Sequence, residues 1–413
     1  MDKKPEKLVP EVRFKGFTDD WEQRKLSSIA HQTFGGGTPS KSNKQFWNGD
    51  FPWIQSSDLA EDTIRGVHPN KFITQNALQI SAAKKIPKNS IAIVSRVGVG
   101  KVALIPFNYS TSQDFLSLSG LKINSQFATY SIHKIMKKTA SQLQGTSIKG
   151  ITKKDILNKA IIFPISGKEQ VHISSLLKYV DYIISLQQRK LEFLKEIKKG
   201  LLQKMFADKS KFPILRFEGF HNEWEQRKLK NVYQKIGNAF VGTASPYYVD
   251  AGHFYLESNN IKNGQINRNH EVFINNSFYQ KQSNKLLHTG DLVMVQSGHV
   301  GDTAVITQEY NNSAAHALIM FRNPKDKFLS DYLNFYFQNT SAKNKINVLA
   351  IGNTIRHVLA SDMSRFSVYF PNKDERKYIS NLLLKLQYTI TLQQSKISQL
   401  TILKKYLLQK LFI

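Results

Sequence analysis

Three consecutive glycines, Gly35-Gly36-Gly37, lead into Thr38, Ser40, Lys41, Ser42 and Asn43. Glycine lets backbone approach a ligand closely, and the residues that follow carry donors suited to phosphate oxygens and base edges. A plain surface turn has the same composition, so both readings stand. Comparable polar groups close other apolar runs. Gln55, Ser56, Ser57 and Asp58 follow Phe51-Pro52-Trp53-Ile54, as at a strand end. Arg96, Gly98 and Lys101 occupy a predicted strand–turn–strand, where an arginine reaches a guanine edge or a phosphate. Thr146, Ser147 and Lys149 precede a predicted helix start near Thr152, a suitable place for a phosphate. Their counterparts in the second half are Asn353, Thr354 and Arg356, with Ser258, Asn259, Asn260, Gln296, Ser297 and His299 elsewhere. Together these are candidate DNA contacts. Solvated polar surface is the alternative for any one of them.

Residues for bond-breaking chemistry do not assemble in the same way. A phosphate-cradling P-loop needs glycines, then Lys and Ser or Thr, but Lys101 after Gly100 precedes Val102. The glycine run at 35–37 only grazes a methyl-donor pocket, and no Asn-Pro-Pro-aromatic tetrad follows to hold a flipped adenine. Glu22 and Glu225 sit in matching segments, where carboxylates cap or pair rather than bind a nuclease metal. The 11 histidines show neither HExxH nor HxxxH spacing and read as surface or loop residues. The expectation is no catalytic residue, no metal and no cofactor on this chain.

Charge points to the partner. Lys and Arg number 58 against 31 Asp and Glu, a formal charge of +27. Such a surface repels itself unless a polyanion lies against it; nucleic acid, double-stranded DNA among its forms, is the first candidate, with anionic membrane the rival. No apolar run approaches the ~20 residues of a membrane span, so no membrane partner is expected. The start, MDKKPEKLVPEV, lacks the apolar core of a signal peptide. With no cysteines the chain suits a reducing, cytoplasmic setting.

The chain is written twice. VPEVRFKGFTDDWEQRKL (9–26) and FPILRFEGFHNEWEQRKL (212–229) agree at 11 of 18 positions. Residues 173–206 align without a gap on 379–412, with 18 of 34 identical. Between these anchors the halves diverge, keeping fragments such as VGVGKVALI (97–105) against HVGDTAVI (299–306). The variable bodies read as mixed α/β, mostly strand, with short β-branched segments such as SIAIVSRVG and DLVMVQSG. The terminal segments place Leu177, Ile184 and Leu191 seven apart, alternating with Val180, Gln187, Leu194 and Leu201, a coiled-coil stripe that predicts helix from about 168 to 206. At ~1.5 Å per residue each helix is about 58 Å long and needs a partner along its length. The natural partner is the other copy, antiparallel. Gln187 and its equivalent Gln393 then face each other and set register, or each lines a solvated edge of the seam. The expected division is 1–162 (lead-in plus first variable body), 163–206 (central helix), 207–369 (lead-in plus second body) and 370–413 (C-terminal helix). Trp21, Trp224, Phe14, Phe17, Phe217 and Phe220 repeat between lead-ins and are expected to pin them to the helices rather than stack on bases. Lys198-Lys199 and Lys404-Lys405 read as solvated faces, with contact to DNA or a partner protein the alternative.

GGGTPSKSNKQFWNGDFPWIQSSDL (35–59), the WEQRKL lead-ins, the close GTSIKGITKKDILNKAIIFP and the paired terminal helices resemble the specificity subunits of type I restriction–modification systems, over essentially the whole chain. The second body, GNAFVGTASPYYVDAGHFYLESNNIKNGQI (237–266), departs from the first pattern and resembles another variant within that family. The resemblance implies two pseudo-symmetric recognition domains separated by an antiparallel helical coiled coil, each reading one half of a bipartite, asymmetric DNA target. It implies a non-catalytic subunit whose helices fix the gap and dock two methyltransferase (modification) subunits, with restriction/translocase subunits joining. S-adenosylmethionine, ATP and Mg are then expected on those partners. A stand-alone two-headed duplex binder, such as a repressor or anti-restriction decoy, is the alternative.

Overall fold

The computed structural model describes residues 8–143, 150–208, 210–352 and 356–413. Tertiary contacts divide the chain into two units, Met1–Gln188 with Lys396–Ile413, and Arg189–Ser395. Each holds one variable body, called a head below, and a stretch of each long helix.

The lead-ins form strands, which their charged sequence did not announce. In the first unit Trp21–Lys25 pairs antiparallel with Ala160–Pro164, Trp21 opposite Pro164. In the second, Glu225–Lys228 pairs with Ser367–Phe370 in the same sense. The repeated aromatics lock these strands down, as expected. Trp21 and Trp224 are buried. Phe14 and Phe17 lie 5.6 and 5.7 Å from the His172 ring, and Phe217 and Phe220 lie 5.7 and 5.9 Å from Tyr378. A buried carboxylate anchors each arrangement. Arg13 grips Glu169 with two hydrogen bonds of 2.7 and 2.9 Å, and Arg216 grips Glu375 at 2.7 and 2.8 Å. Bidentate geometry of this kind offsets the desolvation of the acid. Glu22 and Glu225 each pair with the arginine two residues on, Arg24 and Arg227.

Both heads use one topology in spite of their divergent sequences. The first has an antiparallel sheet in the order Ala30–Gly35, Phe115–Leu121, Ser90–Val94, Val102–Ile105. The second repeats it with Tyr233–Asn238, Leu318–Pro324, Leu292–Val295, Thr303–Val305. The third strand of each is buried along its whole length, which explains the unbroken apolar runs IAIV and LVMV. A smaller sheet flanks each, ending in a parallel pair: Phe51–Ile54 with Ser110–Thr111, and His253–Leu256 with Ala314–Ala315. The heads part at the helix after the sheet. Ser125–Leu143 is continuous, but its counterpart breaks into Leu329–Gln338 and Thr340–Leu349. Asn339 makes the break by capping Ser341 N–H at 2.8 Å while donating to Leu202 O at 2.6 Å.

The long helices span Gly167–Lys204 and Lys373–Lys410, 38 residues each. In the first unit Leu177 packs in one core with Leu407, Leu408 and Leu411. In the second, Leu202 shares a core with Ile379 and Leu383. Early residues of one helix therefore meet late residues of the other, the antiparallel sense. Gln187 and Gln393 belong to different units; Gln393 is buried and Gln187 partly so. Two lysines of these helices are not on solvated faces. Lys404 is buried against Asp181 at 2.6 Å, and Lys198 is half-buried against Gln387 and Gln338. Nor are the histidines all peripheral, since His133 is buried on the helix Ser125–Leu143.

Candidate nucleic-acid interface

In the first head the end of the strand Ser90–Val94 opens into a cleft of 510 Å³ lined by Ser95, Arg96, Gln113 and Gly150–Lys153. Backbone bonds set its walls: Ser95 N donates to Asp114 O at 2.7 Å, and Ile151 N to Ser95 O at 2.8 Å. Thr152 caps the helix Lys153–Asn158, its Oγ1 accepting from Asp155 N at 3.1 Å, which agrees with a helix start near Thr152. Thr38 donates to Gln113 Oε1, leaving the Gln113 amide N–H groups for other acceptors. Lys153 is half-buried, and its amine is held below the usual lysine range by burial first, then by Lys84 and Arg96. Among the described residues none of these three cations has an ion-pair partner, so the cleft concentrates positive charge that an anion would relieve.

Within the triple glycine, Gly36 and Gly37 are closed in by the chain's own backbone. A Cβ on Gly36 would collide with the Ser112 carbonyl, and one on Gly37 with the Ala82 carbonyl. Gly37 N donates to Thr111 O at 2.9 Å, and Gly37 O accepts from Trp53 Nε1 at 3.0 Å. These glycines admit the protein's own backbone rather than a ligand's. Gly35 lies against the amine of Lys153, which lines the cleft.

Other predicted contacts of this head divide by their bonding. Ser40 and Ser42 bond each other at 2.7 Å, Asn43 caps Gln45 N at 3.1 Å, and Lys41 is exposed. Asp58 is structural. It is buried, accepts from Gln55 N at 2.9 Å and from Asn70 at 2.7 Å, and so offers little to a base. Lys101 turns its amine onto Ser56 O at 3.1 Å, where Gly98, at φ +92°, brings the turn close. That groups Gln55, Ser56, Ser57, Gly98 and Lys101 at one corner beside Arg96.

The second head gathers Ser258, Gln296, Ser297, His299 and Arg356. Gly298 N donates to Arg356 O at 3.3 Å, Val358 N to Gln296 O at 3.0 Å, and His299 Nε2 lies 3.0 Å from Ser258 O. Arg356 is tethered to Asn347 O at 2.7 Å, so part of its fork is engaged within the head. Asn260 is the counterpart of Asp58 and equally internal. Its side chain bonds Glu257 N at 2.9 Å, Asn267 O at 3.0 Å and His270 O at 2.8 Å, and Asn259 beside it is exposed. Thr146, Ser147, Lys149, Asn353 and Thr354 lie outside the described residues. Lys84, Gln113 and Lys153 escaped the sequence reading, although the basic run Lys153-Lys154 was visible and only the fold sets its first lysine beside Arg96.

Among the described residues no three histidine or acidic side chains gather as a metal set, and no helix is long and apolar enough to cross a membrane. The family model of the type I restriction modification DNA specificity domain matches twice, over residues 18–198 and 221–401. The chain belongs to that family. The MjaIX type I specificity subunit of Methanocaldococcus jannaschii is 24% identical over 95% of this chain and 92% of its own. The EcoR124I/EcoR124II specificity subunit of Escherichia coli is 30% identical over 40% of this chain and 45% of its own. In fold, the type I S subunit from M. genitalium matches with a TM-score of 0.61 at 15% identity, covering 98% of this chain and 99% of that one. A chain from a type I R-M complex-assembly structure matches at 0.56 and 17% identity, covering 95% and 97%. Each match runs from within a lead-in, through one head, into the long helix that follows it.

Proposed function

We propose that this specificity subunit reads a bipartite, asymmetric DNA sequence, one half per head, and directs the adenine methylation and restriction carried out by partner subunits. The carrying observation is one topology built twice with different side chains at equivalent places. Arg96 after the third strand of the first head answers to Ser297 in the second, and Lys153 to Ala360. A common scaffold with altered contact groups is what reading two different half-sites requires. The long helices support the docking of two methyltransferase subunits. Tyr182 and its repeat equivalent Tyr388 stand 58% and 65% exposed, on helices that also expose Phe193 at 67% and Ile402 at 64%, so uncovered apolar surface is presented twice. S-adenosylmethionine, ATP and Mg belong, in this reading, to the partners.

The test is methylation sequencing of DNA from cells expressing the chain with a cognate methyltransferase subunit. The expected result is methyl-adenine in one motif of two fixed halves around a fixed unread gap. A soluble complex that methylates nothing new, or a continuous motif, overturns the reading.

A further inference from the structure

The two long helices make one matching polar contact in each unit, and the two differ in charge. With a repeat offset of 206 residues, Lys198 corresponds to Lys404 and Asp181 to Gln387. In the first unit the Lys404 amine lies 2.6 Å from Asp181 Oδ1 and donates to Asp62 O at 2.7 Å. In the second the Lys198 amine donates to Gln387 Oε1 at 2.5 Å and Gln338 Oε1 at 2.7 Å, and sits 5.6 Å from the Phe335 ring centre. Gln387 is held in that orientation by its own N–H bond to Gln265 Oε1 at 3.1 Å. A carboxylate in one unit has become a neutral amide in the other, and the lysine has stayed. Among the described residues no carboxylate lies within ion-pair reach of Lys198. Its amine is pushed down to about 8, by burial first and then by Lys343.

The surroundings of Lys198 form a cavity of 340 Å³ wholly within the second unit. Lys195, Lys199 and Lys343 line it with the amides of Gln203 and Asn263. Lys195 and Lys343 have acidic partners, Glu192 at 2.9 Å and Asp302 at 3.3 Å, but those pairs are half-exposed and only weakly neutralising. An ammonium has three N–H donors, and two of those on Lys198 are engaged by amide oxygens. One remains, among further lysine and amide donors. Such a set suits an oxyanion with several oxygens, since each can take its own donor.

We propose that this cavity is a phosphate-binding site, in which the phosphate gives Lys198 the counter-charge that Asp181 gives Lys404. The phosphate is free, as inorganic phosphate or on a nucleotide, or belongs to a nucleic-acid backbone. The site stands apart from the heads' contact groups, so its failure would leave the DNA-reading function to be judged by methylation alone.

The test is site-resolved acylation of lysines in the full chain at pH 8, read by mass spectrometry, at constant ionic strength with chloride or inorganic phosphate. Phosphate at about ten times its dissociation constant should cut labelling of Lys198 to about a tenth, with Lys404 unchanged. Gln387→Asp restores an internal carboxylate. It should slow Lys198 labelling in chloride, abolish the phosphate effect and melt no lower than the parent. Protection by inorganic phosphate identifies a free-phosphate site, and protection by duplex DNA alone identifies a backbone phosphate. Protection by neither, equal protection at Lys404, or an undiminished phosphate effect in Gln387→Asp overturns the proposal.

Discussion

At the strand end bordering its cleft the first head presents Arg96, with Lys153 and Lys84 nearby; the second presents Gln296, Ser297 and His299 around a tethered Arg356. The lead-ins differ too, within the same scaffold. Trp224 Nε1 donates to Glu375 Oε2 at 3.1 Å, whereas the buried Trp21 Nε1 has no partner among the described residues. The lesson is that a repeated fold constrains backbone and buried anchors and leaves charge free to vary. The proposed contact groups of one head are cations, and those of the other are neutral or partly engaged within the head.

The largest expected effect tests what the heads share. Arg13→Met or Arg216→Met strands a buried carboxylate and should cost about 3–5 kcal/mol by denaturant unfolding. The loss should be greater for Arg13, because Glu375 keeps its bond from Trp224 and Glu169 keeps nothing comparable. Equal losses would mean that the indole bond contributes nothing. A more direct comparison uses the tryptophans. Trp21→Phe and Trp224→Phe leave similar cavities, so the excess cost at Trp224, about 1.5–3 kcal/mol, measures its bond to a charged acceptor.

Salt dependence tests the contrast in charge. With about 8 phosphates neutralised, log K for the assembled complex should fall against log salt with a slope near −7. Replacing Arg96 and Lys153 together by Ala should make that slope shallower by about 2. Ser297→Ala should leave the slope alone and relax base preference in one half-site. A matching change of slope from Ser297→Ala would erase the distinction between the heads.

The gentlest test is pH, with a slope no steeper than about 1.4 kcal/mol per pH unit for one group. Burial, with Lys404 and Lys137, pushes His133 down to about 4 against the opposing Asp62 and Asp181, while burial pushes Asp331 up to about 6 despite Lys327. Between pH 4 and 6.5 the unfolded chain holds more protons at His133, so the first unit gains stability as pH rises. Between 3.8 and 6 the folded chain holds more at Asp331, so the second unit loses stability over nearly the same range. Hydrogen exchange resolved by unit should show opposite trends, each flattened by its own substitution, His133→Gln or Asp331→Asn. Parallel trends would show that other carboxylates dominate.

The sequence by itself determined the duplication, the two long helices and the pinning of the lead-ins, because periodicity and repeated aromatics are local signals. It also supplied the charge that points to a polyanion. It placed Arg96 in a strand–turn–strand and offered Gln296 and Ser297 as candidate contacts, and it read Gln55 to Asp58 as a strand end because an apolar run stops there. Tertiary structure alone decided that Asp58 and Asn260 are internal caps, that Gly36 and Gly37 admit the chain's own carbonyls, and that Lys153 joins Arg96. It also decided that Lys198 and Lys404, alike in sequence, have an amide and a carboxylate for neighbours. The reason is the same in each case: a polar side chain's role depends on which distant groups share its surroundings, and spacing along the chain carries no record of that.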